Sequence, residues 1–129
     1  MYISTMDVIG MYHGLMTSKN RDGYLLDADA LENAVMRAHV IIYFEQVNII
    51  QQASLLVIGI ARARAFTISN VGIAAIAGAT FLLMNGYLVP ESDEYSTQAE
   101  DLANSDMSES EAAAMLAAWL SSRVKELEM

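Results

Sequence analysis

The stretch VGIAAIAGATFLLMNGYLV, residues 71–89, is nineteen residues long and carries no charge. A helix that spans a bilayer needs roughly 17–25 mostly apolar residues. A helix buried on every side within a small bundle shows the same pattern. Three features favour the bundle. Asn85-Gly86 breaks the run near one end, small residues are frequent within it, and no Lys or Arg cluster flanks it to set an orientation. The sequence therefore predicts a central helix over 70–84. Asn85-Gly86 should stop it, because glycine accepts the left-handed C′ conformation, and Pro90 should keep it from resuming.

Composition agrees with a helical domain. Of 129 residues, 54% are hydrophobic and 18% charged, with one proline and seven glycines. That length supports one domain with a proper core. Ala, Leu, Ile and Met dominate, which favours helices over a sheet. The net charge of −9 argues against nucleic acid, which needs a basic face. Residues 91–111 hold eight carboxylates and no Lys or Arg, a run that reads as a solvated face ahead of a docking surface for a basic partner. With no cysteine there is no disulfide and no thiolate chemistry. The start, MYISTMDVIGMYH, lacks the basic region and unbroken apolar core of a signal peptide, and a cytoplasmic location is expected.

Around the central run the chain divides into six helical segments. Apolar spacing over 3–16 suits a short amphipathic helix, and TSKNRDGY, 17–24, is a polar turn. Asp27 or Asp29 can cap a helix through Leu31, Val35 and Met36. Residues 40–44 read as a short strand or flap, and 46–63 as a long, largely buried helix. A weaker acidic helix covers 91–104. Ser108-Glu109-Ser110-Glu111 has the form of a capping box. It opens a last helix with Met115, Leu116, Trp119, Leu120, Val124 and Leu127 near one face. The fold class is all-α: a compact bundle of about six helices forming a single domain over 1–129.

Chemistry-bearing residues are sparse. His13 and His39 lack a second ligand at i+3 or i+4, so a metal site is poorly supported. Glu45 has no neighbour that would tune it for acid–base work. The nine methionines suit gap-filling in a helical core better than an adaptable groove. No complete phosphate loop is present. The junction RAFTISNVGIA, 64–74, stands out because a loop there meets a helix N-terminus, where free N–H groups can hold an anion. Ser69 or Asn70 can equally be a simple helix cap; a residual anion or phosphate site at Asn70 is the alternative.

The order of these pieces resembles the Fic/Doc family, above all its short death-on-curing branch, over about residues 7–125. The matching stretches are DVIGMYH (7–13), DADALENAV (27–35), FLLMNGYLV (81–89) and SESEAAAMLAAWLSSRV (108–124). The resemblance implies the signature H-x-F-x-[DN]-x-N-K-R at 64–72. In that family the loop transfers AMP or phosphate from a nucleotide to a protein hydroxyl, and in the death-on-curing branch a small antitoxin neutralises the toxin. The family's histidine is the base, its acidic residue holds a metal, and its Asn, Lys and Arg bind phosphates. Here Arg64 stands at the histidine and Ile68 at the acidic position, while Val71 and Gly72 replace Lys and Arg. Phe66, the family's loop anchor, and Asn70 are retained.

Arginine stays protonated near neutral pH and cannot act as the base. Ile68 cannot ligate a metal, and the two phosphate-binding cations are gone. Losing a base alone costs roughly a hundred- to ten-thousand-fold, and phosphoryl transfer relies mainly on charge stabilisation. The expectation is a catalytically inactive relative without cofactor, acting as a protein-binding or regulatory module of toxin–antitoxin descent. Its partner would be antitoxin-like or a second copy. The alternative is a divergent AMP- or phosphotransferase using ATP and Mg, with chemistry recruited from His13, Asp7 or Glu45. A membrane-associated helical protein is the third reading.

Overall fold

A computed structural model describes residues 2–41 and 46–128. Six helices order these residues: α1 (Thr5–Ser18), α2 (Ala28–Val40), α3 (Ile49–Ala63), α4 (Asn70–Met84), α5 (Asp93–Ala103) and α6 (Glu109–Ser121). Two short strands, β1 (Tyr87–Leu88) and β2 (Lys125–Glu126), pair antiparallel with Tyr87 opposite Glu126. The fold is an all-α bundle with this small ribbon at one end.

Side-chain caps set most helix starts. Ser4 and Asp7 form a reciprocal capping box on α1, and hydrogen bonds from Ser4 hold the exposed Asp7 carboxyl below its ordinary value. Asp27, rather than Asp29, caps α2 by accepting from the Ala30 N–H at 3.0 Å. Asn48 and Gln51 form a second reciprocal box on α3, three residues after the start expected at 46. At α6 the box is incomplete. Ser108 Oγ accepts from the Glu111 N–H, but the Glu111 carboxylate takes the Ser108 hydroxyl instead of the cap's backbone.

The uncharged run forms α4 with the expected ends. Asn85 and Gly86 close it through N–H bonds to Leu82 and Leu83, and Gly86 takes a positive φ of 91°. Among the described residues no helix is long and apolar enough to cross a membrane. One expectation needs correction: α4 is not buried on every side. Ile76 and Leu83 face outward at 36% and 50% exposure. The surrounded helix is α3, which packs against α2, α4, α5 and α6 and buries Leu56, Val57, Ile58 and Ile60 almost completely.

Two further expectations shift. Val40 is the last residue of α2, and the rest of the flap expected over 40–44 lies outside the described residues, as does Glu45. The last helix ends at Ser121 instead of running to Leu127. The chain after it turns into β2, and the Leu127 N–H donates to the Gly86 carbonyl at 2.7 Å. Met115 leaves the buried face that Leu116 and Leu120 share and is 54% exposed.

α3 and α4 pack closest where Gly78 faces Val57. A Cβ at position 78 would overlap Val57 Cγ2 and lie 2.9 Å from the Tyr95 hydroxyl, which donates to the Ala75 carbonyl. Burial pushes that phenol above its ordinary value. Gly→Ala normally gains about 1 kcal/mol in a helix interior. Gly78→Ala should instead destabilise by about 1–2 kcal/mol, because Val57 is buried and stiff at χ1 and overpacking costs about 1–3 kcal/mol. Urea unfolding with an unchanged slope is the check.

Candidate functional site

The loop at 64–70 runs from the end of α3 to the start of α4 between two left-handed residues, Arg64 at φ 49° and Ser69 at φ 60°. Non-glycine residues pay roughly 1–2 kcal/mol for that conformation, so contacts elsewhere must hold it. Three sets do. Asn70 Oδ1 accepts from the Phe66 N–H at 3.0 Å while Asn70 Nδ2 donates to the Phe66 carbonyl at 2.9 Å, closing the turn on itself. The Phe66 ring is buried and stacks on Tyr12, centroids 3.9 Å apart, and the Tyr12 hydroxyl donates to the Ile68 carbonyl at 2.9 Å.

The third set is a backbone bridge to the segment before α2. Leu25 pairs antiparallel with Phe66. The Leu26 and Asp27 N–H groups share the Ala65 carbonyl, and the Thr67 N–H donates to the Tyr24 carbonyl. The Thr67 hydroxyl accepts from the Tyr24 N–H at 3.0 Å.

Neither expected cap is present at α4. Ser69 occupies the N-cap position without a side-chain hydrogen bond, and the Asn70 amide is engaged by Phe66. The first-turn N–H groups of α4 thus lack a side-chain cap. A pocket of about 420 Å3 opens there, walled by Arg64, Ser69, Asn70, Val71 and Gly72 on one side and by Ser96, Glu100 and Asn104 of α5 on the other. It pairs one cationic side chain, Arg64, with one anionic side chain, Glu100. Phosphate binding favours several cations, and Glu100 opposes it.

The other candidate residues lie elsewhere. Ile68 does not line the pocket; its side chain lies beside Gly23. His13 is exposed on α1, and Asp7 is occupied by the α1 cap. His39 is half-buried, with Nε2 on the Ile3 carbonyl and its ring between Tyr2 and Phe81. That is the structural role ordinary for a lone histidine on an apolar face. Arg62, absent from the sequence-based candidates, fixes the far wall. From the last turn of α3 it donates to the carbonyls of Ala103, Leu102 and Ser105 at the end of α5. Tyr12 and Glu100 were also missed. Tyr12 sits in an unremarkable amphipathic pattern, and Glu100 is one of eight carboxylates in its run. No family model matches this chain, and no curated protein matches it.

Proposed function

We propose that this chain is a catalytically inactive relative of the Fic/Doc family, of the death-on-curing branch, working as a protein-binding module of toxin–antitoxin descent. One observation carries the reading: the 64–70 loop is held by a dense set of specific contacts, while the pocket it faces has no base. Arg64 occupies the base position and Glu100 offsets its charge. Positions 71 and 72 contribute an aliphatic side chain and none. A loop retained in shape while its reactive groups are replaced is the pattern left when binding outlives catalysis.

The test is incubation of the purified protein with labelled ATP, Mg2+ and cell extract. No label should move to any protein. Transfer that disappears in Asn70→Ala or Arg64→Ala would establish the rival reading, a divergent nucleotide-dependent AMP- or phosphotransferase acting on a protein hydroxyl. The uncapped first turn of α4 beside Arg64 is what favours that rival. For the binding half of the proposal, a partner or a second copy should co-purify; a strictly monomeric, partner-free protein at high concentration would count against it.

A further inference from the structure

A second concavity, of about 520 Å3, lies away from the loop, between the start of α1 and one face of α2. Its α2 side is built by Glu32, Val35, Met36, His39 and Val40, spaced three and four apart and so aligned along the helix. Ile3 and Val35 form a floor that is almost fully buried, at 0% and 2% exposure. Met6 and Met36 stand on the walls at 72% and 49% exposure. Exposed methionines flanking an apolar floor make an adaptable contact surface, because an unbranched thioether refits to different partners at little cost. Helix-in-groove recognition uses this form, with apolar anchors laid into a groove.

We propose that this groove receives a cationic amphipathic helix of a partner protein. Charge selects the occupant. Asp7 and Glu32 are the charged groups lining the groove, and both are acidic. A second copy would bring another −9 against them, and phosphate-bearing surfaces, whether membrane or nucleic acid, are repelled for the same reason. A helix with apolar anchors flanked by Lys or Arg satisfies floor and rim together. The inference rests on the protein-binding half of the function proposed above. It does not depend on the transferase site being dead, which the label-transfer assay settles separately.

The test uses the full chain with 13C-labelled methionine methyl groups, titrated with a synthetic Leu/Lys amphipathic helical peptide and with its Leu/Glu counterpart. The Met6 and Met36 methyl signals should shift saturably with the Leu/Lys peptide and stay unmoved by the Leu/Glu one. Glu32→Lys, a change at an exposed position, should weaken binding about tenfold or more while leaving the other methyl signals in place. Shifts centred on Met115, equal binding of both peptides, or indifference to Glu32→Lys would overturn the proposal. Concentration-dependent shifts of Met6 and Met36 without peptide would overturn it in favour of a second copy.

Discussion

Phe66→Ala should destabilise the protein by about 3–5 kcal/mol, the usual cost of removing a buried aromatic ring. Phe66 is 2% exposed and stacked on Tyr12, so the loss includes both burial and the ring pair, worth about 0.5–1.5 kcal/mol. Two non-glycine residues in the left-handed region depend on this anchor. The variant should therefore also loosen the loop beyond the global effect. Urea unfolding measures the first consequence. Hydrogen exchange measures the second: the Thr67 amide should lose more protection than amides of α6. Phe66→Leu keeps most of the volume and should cost less than half as much. A variant as stable as the parent would show that the ring does not anchor the loop.

Arg62→Met should cost about 2–4 kcal/mol. Its guanidinium satisfies three carbonyls at the end of α5, at 3.0–3.3 Å. Hydrogen bonds to a charged donor contribute about 1.5–3 kcal/mol each, though not additively. The cation also opposes the negative end of the α5 dipole. Methionine keeps the apolar stem and removes the fork, which separates packing from hydrogen bonding. Arg62→Lys keeps the charge without the planar fork and should recover less than half of the loss. Thermal and urea unfolding of the three proteins give the comparison. Because α5 carries Ser96, Glu100 and Asn104, the Met variant should also shift the amide resonances of the pocket wall.

The helices were the most legible part of the chain. α4 begins at Asn70 and ends at Met84 as the apolar run and Asn85-Gly86 imply, and Asp27 caps α2 from its position before the periodic residues. Local signals of that kind act over one or two turns. Burial is not local. A helix of uniform hydropathy gives no angular cue to its outward face, so Ile76 and Leu83 could not be separated from Ile73 and Phe81 beforehand. Nor could the ribbon joining residues 87–88 to 125–126, since two-residue strands have no periodicity to detect. At the loop, sequence located the turn and the importance of Phe66 and Asn70. It did not reveal that the Asn70 amide would bond the backbone of Phe66 instead of capping α4, because Asn serves both roles from the same position.

The loop between α3 and α4 has one more property, which concerns the order of folding. Its turn-closing pair, Phe66 and Asn70, spans four positions, but its remaining supports come from far earlier in the chain. Tyr12 reaches Ile68 across fifty-six positions, and Tyr24 meets Thr67 across forty-three. Closure entropy for such contacts must be met before they stabilise anything. The pairing of α3 with α4 can therefore form first, with the turn between them still loose. Only when α1 and the 24–27 segment dock does the loop acquire its shape. The pocket at 64–72 is thus a late product of assembly, and its geometry reports that the whole bundle has closed.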